Sequence, residues 1–287
     1  MSRIAYVNGR YLPHSDAAIH IEDRGFQFAD GVYEVCEVRD GLIIDLTRHL
    51  DRLDRSLREL RIASPMAREP LKLVIREVLR RNRVRNGLFY LQVTRGVARR
   101  DHYFPAAGTL PTLTITAKSV DPQPARARYE TGIKVITVPE NRWDRVDIKT
   151  VGLLPNVLVK QQAKDAGAQD AIFVDAAGKV TEAASSNVWI VSADGVLVTR
   201  PAEHGILRGV TRTTVLDVAA SLSVPVEERE FTVEEMLAAR EVFLTSATGS
   251  CVPVVAVDGR TIANGHPGSV AAALRGAFLH IAEKTPI

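Results

Sequence analysis

The chain has 287 residues, 46% of them hydrophobic and 25% charged, with a formal net charge of +3. This is an ordinary globular composition, long enough for two domains or one large one, and the charge is too small to argue for a nucleic-acid partner. Two cysteines, Cys36 and Cys251, make neither a disulfide framework nor a metal knuckle, and no run of about 18 apolar residues offers a membrane span. The expectation is a soluble, cytoplasmic protein with reduced thiols, no metal, no nucleic acid and no membrane.

Residues 4–7 and 10–12 flank Asn8-Gly9, and residues 32–39 and 42–45 flank Asp40-Gly41. Both predict β-hairpins, because Asn, Asp and Gly tolerate the positive φ of tight turns. Thr47 is placed to cap a helix whose apolar stripe is Leu50, Leu53, Leu57 and Leu60. A second helix is expected after Pro70, with Leu71, Val74, Ile75, Val78 and Leu79 inward and the basic residues of 76–85 on a solvated face. Strands follow at 88–95 and 112–118. Residues 119–128, S-V-D-P-Q-P-A-R-A-R, hold two prolines and no apolar period, which favours an extended connector. Beyond it, β runs at 134–138, 171–175, 187–191, 196–200, 242–245 and 252–257 alternate with helical patterns at 155–166, 211–222, 233–239 and 268–282. The expected class is α+β: a small domain over 1–118, the connector 119–128, and a larger β-rich domain with helices over 129–287.

The densest chemistry lies at 182–212, which reads E-A-A-S-S-N-V-W, then L-V-T, then L-R-G-V-T-R. Lys149 stands upstream in D-I-K-T-V-G-L-L-P-N. An acid can hold a ring nitrogen, an amine can hold an aldehyde, and a Gly/Thr turn opening a helix can hold a phosphate. The neighbours Ile148, Val151, Leu153 and Leu154 favour the neutral amine that attacks a carbonyl. Pyridoxal 5'-phosphate presents those three handles.

These residues resemble the signature of the class-IV pyridoxal-phosphate aminotransferases, of fold type IV. The pattern is met by Glu182, Ala184, Asn187, Val188, Trp189, Leu197, Thr199, Leu207, Gly209, Val210 and Arg212. Trp189 departs from it, since Phe or Tyr is usual there, and the departure bears on local packing. The resemblance runs over nearly the whole chain. It implies that Lys149 holds the cofactor's aldehyde carbon and later moves the substrate α-proton. It implies that Glu182 accepts from the pyridine N–H, and that Leu207 packs behind the ring. Phosphate binding is shared, by resemblance, among Arg52 of an H-x-x-R step, the turn Gly209-Val210-Thr211, and the loop Ser246-Ala247-Thr248. The family often has a hydroxyl at position 247, so contact there is through the backbone or shifts to Thr248. A surface Arg52 paired with Asp51 or Glu59 is the other reading.

Within the family the chain is similar to the D-amino-acid branch. Arg100-Asp101-His102 matches an Arg-x-His step that binds the substrate α-carboxylate, with Tyr33 as a third donor. In that branch the step reaches the partner subunit's site, which implies a homodimer. Arg99 adjoins Arg100 and can exchange roles with it; an exposed basic loop with Asp101 paired internally is the plainer alternative. The implied reaction is ping-pong transamination between D-amino acids and 2-oxo acids: D-alanine and 2-oxoglutarate give pyruvate and D-glutamate. A branched-chain L-amino-acid aminotransferase shares Lys149, Glu182 and Arg52 but normally lacks the Arg-x-His step. An aminodeoxychorismate lyase and a catalytically silent cofactor-binding protein are the remaining alternatives. His14, His20, His204, His266 and His280 lack metal-ligand spacing.

Overall fold

Both expected hairpins form in the computed structural model, which describes residues 3–202 and 205–287, so that His204 lies outside the described residues. β1 (Ile4–Val7) and β2 (Arg10–Pro13) pair antiparallel across Asn8 and Gly9, whose φ values are 43° and 90°. A short helix α1 (Arg24–Phe28) follows, capped by Asp23, whose side chain accepts from the Gly25 amide. β3 (Gly31–Arg39) and β4 (Leu42–Ile44) then pair across Asp40 and Gly41, also at positive φ. Next come α2 (Leu46–Glu59), α3 (Arg68–Arg81), β5 (Gly87–Thr94) and β6 (Thr112–Ser119). With a last strand, Lys284–Pro286, they make a seven-stranded sheet in the order Lys284–Pro286, β4, β3, β5, β6, β1, β2. Leu50, Leu53 and Leu57 of α2 and Leu71, Ile75, Val78 and Leu79 of α3 are buried in one core with Val32, Cys36, Val38, Phe89, Leu91 and Val93 of the sheet. The two-residue period of β3 turns Val32, Glu34, Cys36 and Val38 inward and leaves Tyr33, Val35 and Glu37 half-buried on the other face.

Three local expectations change. α2 begins at Leu46 with Asp45 as its N-cap, and Thr47 caps nothing: its amide and hydroxyl donate to Glu283 at 3.0 and 2.8 Å. An orphan amide of the first turn is thus served by an acid from the far end of the sequence, which no local pattern announces. α3 starts before Pro70, which sits in the first turn where its missing N–H breaks no helical bond. Residues 119–128 are not an extended connector. β6 runs to Ser119, and a helix, α4 (Gln123–Thr131), opens with Pro122 at its N-cap and Pro124 in its first turn. The two prolines mark a helix start.

The chain divides into two compact units: Met1–Asp121, Ile148–Gly152 and Glu283–Ile287 form the first, Pro122–Asp147 and Leu153–Ala282 the second. Residues 148–152 join the first unit through backbone bonds. The Tyr33 amide donates to the Lys149 carbonyl, the Val151 amide donates to the Gly31 carbonyl, both at 3.0 Å, and Val32 bridges Thr150.

In the second unit α4 is followed by β7 (Ile133–Pro139), α5 (Leu154–Asp165), β8 (Asp170–Val174), β9 (Val180–Ala183), β10 (Asn187–Val191) and β11 (Leu197–Thr199). Then come α6 (Val210–Ser221), β12 (Val226–Glu228), α7 (Val233–Leu237), β13 (Glu241–Ser246), β14 (Gly249–Val257), β15 (Arg260–Thr261) and α8 (Ser269–Ile281). The sheet order is β12-β11-β10-β13-β14-β7-β8-β9, with β15 beside β14. β10 and β11 are buried at every position, so their apolar residues do not alternate with exposed polar ones, and the two polar members, Asn187 and Thr199, are buried with them. β9 was not expected; its sequence, V-T-E-A, has no strand pattern and becomes a strand by pairing with β8. Trp189 fits without strain. It is fully buried, its Nε1 donates to Thr245 Oγ1 at 2.9 Å, and it stacks on Phe243 at 5.8 Å. Among the described residues no helix is long and apolar enough to cross a membrane, and no group of three or more His, Cys, Asp or Glu could hold a metal ion.

Candidate active site

In the second unit Glu182, Asn187 and Leu207 of the signature form one hydrogen-bonded net. Glu182, in β9, is 5% exposed. Its Oε2 accepts from Asn187 Nδ2 and from the Leu207 amide, each at 3.1 Å, and its Oε1 accepts from Arg142 Nη1 at 2.5 Å. Asn187 Nδ2 also donates to the Leu207 carbonyl at 2.9 Å. Leu207 therefore enters this net through its backbone. Gly209 lies so close to Asn187 that a Cβ there would stand 2.0 Å from Asn187 Oδ1. It is the N-cap of α6 and brings no side chain to that cap, so the first amides of the helix, with Val210 and Thr211, start a twelve-residue α-helix suited to an anion. Arg212 closes the motif structurally. It is buried, donates to the Arg200 carbonyl at 2.8 Å and to Glu228 at 2.5 Å, and lies over the Trp189 ring. Ser246 ends β13 and pairs with Gly249, Ala247 and Thr248 form the turn of the β13–β14 hairpin, and α6 packs on β13.

In the first unit Lys149 Nζ lies 4.1 Å from the centroid of the Tyr33 ring. Tyr33 stacks on Tyr90 at 5.5 Å, and the Tyr90 hydroxyl donates to Gln92 Oε1 at 2.6 Å. Burial pushes the Tyr90 phenol up to about 12, so it remains a donor. Of the apolar neighbours expected around Lys149, Ile148 is buried and Val151 half-buried, but Leu154 is 68% exposed; Tyr33 supplies the surface it does not.

Arg52 is forked onto Glu34, Nε to Oε1 at 2.8 Å and Nη2 to Oε2 at 2.7 Å. His49, one turn earlier on α2, meets the same Oε2 through Nδ1 at 2.7 Å. Burial pulls Glu34 upward, but the Arg52 guanidinium outweighs it and holds the carboxyl at about 2. An ionised carboxylate only accepts, so the hydrogen is on His49 Nδ1. Burial lowers the His49 pKa, the stronger effect over the Glu34 bond that raises it.

Arg100 and His102 are exposed yet converge on one ring. Phe28 has the Arg100 guanidinium at 5.0 Å, the His102 ring at 5.5 Å and the Arg24 guanidinium at 4.8 Å. Arg24 also donates to the Asp101 carbonyl at 2.7 Å and to Asp30 at 2.8 Å. Further along, Phe104 lies under both Arg95 and Arg61, and Arg95 is forked on Asp30. Asp101 Oδ1 accepts a local turn bond from the Tyr103 amide at 3.3 Å.

Four contributors escaped the sequence. Glu34 is an acid on the inward face of β3 among Val32, Cys36 and Val38, an anomaly that period-two reading exposes. The carboxylate partnership of His49 follows from it. Arg142 and Phe28 carry no local signal: Arg142 finds Glu182 40 residues away, and Phe28 finds Arg100 in another loop.

The donor set fits pyridoxal 5'-phosphate. Glu182 is a buried carboxylate suited to a pyridine N–H, Lys149 is an amine beside an aromatic ring, and α6 starts at a glycine whose amides suit a phosphate. A family model described as amino-transferase class IV matches residues 31–257. The chain is 40% identical over 282 residues to a D-alanine aminotransferase of Bacillus licheniformis, covering 97% of this chain and 98% of that one. It is 38% identical to a D-alanine aminotransferase of Staphylococcus haemolyticus, over 95% of each. Among solved structures, a branched-chain amino acid aminotransferase of Escherichia coli superposes with TM-score 0.92 at 25% identity, over 98% of this chain and 95% of that one. A hypothetical aminotransferase from Mycobacterium tuberculosis, in a PLP-bound form, superposes with TM-score 0.82 at 26% identity, over 96% and 98%. The chain belongs to the class-IV aminotransferases and is an aminotransferase of fold type IV that works with pyridoxal 5'-phosphate.

Proposed function

We propose that the enzyme moves amino groups from D-amino acids to 2-oxo acids, with D-alanine and 2-oxoglutarate giving pyruvate and D-glutamate. The observation that carries this is Arg100 and His102 meeting on Phe28, a guanidinium and an imidazole presented together for a carboxylate. The near-full-length likeness to D-alanine aminotransferases at 36–40% identity supports it.

When bound, pyridoxal 5'-phosphate supplies an electron sink for the pair left at the substrate α-carbon. Lys149 would hold the cofactor's aldehyde carbon and, as a free amine, would take the proton from the substrate α-carbon. Glu182 holds the proton at the ring nitrogen, and Leu207 backs the ring. Arg52, steadied by Glu34 and His49, shares the phosphate with Val210, Thr211, Ser246, Ala247 and Thr248. Arg100, His102 and Tyr33 hold the α-carboxylate and so choose which face of the α-carbon meets Lys149. The working unit is a homodimer in which Arg100 and His102 serve the partner's site. Both are exposed in the single chain, as are Leu154, Val157 and Leu158 on one face of α5. The compartment is the cytoplasm, where the free thiols Cys36 and Cys251 stay reduced.

A branched-chain L-amino-acid aminotransferase is the second reading, favoured by the TM-score of 0.92. A half-reaction decides. The yellow holoenzyme receives D-alanine or L-leucine with no oxo acid, and the cofactor's visible absorbance is followed. Loss with D-alanine alone supports the D-specific enzyme; loss with L-leucine alone removes it.

A further inference from the structure

Glu182 does not stand alone as the acid of the second unit. Arg142, in the loop after β7, is forked on Glu140, Nε to Oε1 at 2.8 Å and Nη2 to Oε2 at 2.6 Å, and spends its remaining nitrogen on Glu182 Oε1 at 2.5 Å. All three groups are shielded: the Arg142 and Glu182 side chains are each 7% exposed and Glu140 is 20% exposed. The underside of the guanidinium rests on the Phe173 ring at 4.3 Å, and Glu140 is pinned by the Thr181 hydroxyl at 2.8 Å. Within this trio two acids face one base, so Glu140, Arg142 and Glu182 together carry one net negative charge. Burial works to lower the Arg142 pKa, and the Glu140 and Glu182 carboxylates more than reverse it. A buried net charge is costly unless a partner neutralises it. A pyridinium N–H against Glu182 is such a partner.

We propose that Arg142 is a positioning residue that keeps Glu182 ionised and aimed, so that the shared proton stays on the cofactor's ring nitrogen and not on the carboxyl. This rests on Glu182 being the ring-nitrogen partner. The sign follows from electrostatics. A guanidinium in contact with Glu182 makes the carboxylate a weaker base, and a weaker base leaves the proton on nitrogen. Glu140 tempers the effect, since it takes two of the three guanidinium bonds and prevents Arg142 from neutralising Glu182 outright. Three donors, Arg142, Asn187 and the Leu207 amide, fix the carboxylate before the ring arrives, so no reorganisation is needed when charge develops there.

The test is the nitrogen resonance of cofactor labelled with 15N at the ring position, bound to wild type, Arg142→Gln, Arg142→Lys and Glu182→Gln holoenzymes, beside kcat and KM for each. Arg142→Gln is expected to move the resonance toward unprotonated pyridine and to cut kcat by about 10- to 100-fold, the loss of one charge-assisted bond, with KM for D-alanine little changed. Arg142→Lys keeps the charge and is expected to restore the protonated resonance. A wild-type resonance in Arg142→Gln overturns the proposal. Removing the cation leaves the Glu140 and Glu182 carboxylates facing each other without it, so Arg142→Gln can fail to fold. The double variant Glu140→Gln/Arg142→Gln keeps the net charge of the cluster and carries the same prediction, with the same overturning result. If Glu182→Gln itself keeps the wild-type resonance, the ring-nitrogen assignment of Glu182 has failed; if it shifts while Arg142→Gln and the double variant do not, only the role of Arg142 has.

Discussion

The net around Glu182 and the loop bearing Arg100 and His102 are built on opposite principles. The first is buried and held by bonds to an ionised group, each of a kind that contributes about 1.5–3 kcal/mol. In the second, the exposed Arg100 and His102 side chains are gathered on Phe28, Arg100 by a cation–π contact of a kind worth about 0.5–1 kcal/mol at an exposed site, while buried Arg24 pins the loop backbone at the Asp101 carbonyl. A cofactor that stays through every turnover suits a stiff socket. On the proposed assignment of Arg100 and His102, two alternating substrates that share only a carboxylate would meet a looser grip on that one group. The difference separates what must not move from what must tolerate change.

The sharpest break removes the amine proposed to serve both half-reactions. Lys149→Ala is expected to lose the visible absorbance of the anchored cofactor and about 10²–10⁴-fold in turnover; normal turnover would sink its assignment. Glu34→Gln comes next, because it takes the bidentate partner from Arg52 in a buried place, a loss of about 3–5 kcal/mol in stability measured by denaturant unfolding at neutral pH. Its pH signature has a definite sign. The Arg52 guanidinium holds the folded Glu34 carboxyl at about 2, below its ordinary 4.5, so its contribution is complete above about pH 4.5 and is lost as pH falls through about 2. The gap between wild type and Glu34→Gln in melting temperature must therefore close across that window; a gap that stays constant refutes the ion pair.

Arg100→Ala should raise KM for both D-alanine and 2-oxoglutarate by about 10- to 100-fold while the cofactor stays bound. Unchanged kinetics would move the carboxylate role to Arg99. The smallest effect belongs to Gly209→Ala. Its backbone, φ −63° and ψ 134°, suits alanine, so the cost comes from crowding, chiefly against Asn187 Oδ1 and also against the Arg212 Cβ at 3.2 Å, about 1–3 kcal/mol of stability. Cofactor affinity measured by dialysis should fall with it, while KM for D-alanine holds. A rise in KM without loss of cofactor would blur the division between socket and grip.

The sequence by itself determined the two hairpins, because Asn8-Gly9 and Asp40-Gly41 need only local φ freedom. It determined the faces of α2 and α3 through apolar period, and the residue types of the candidate site through the Glu182–Arg212 pattern, for which Asn187 and Gly209 must come close. What it did not hold was every partner distant along the chain. β9 is a strand only because β8 lies beside it, and Thr47 serves Glu283 and caps nothing. Arg52 is committed to Glu34, Glu182 to Arg142, and Arg100 to Phe28. Local propensity and period act over a few residues, whereas a buried charge takes whichever counter-charge the fold carries to it. Only the tertiary structure decides which one arrives.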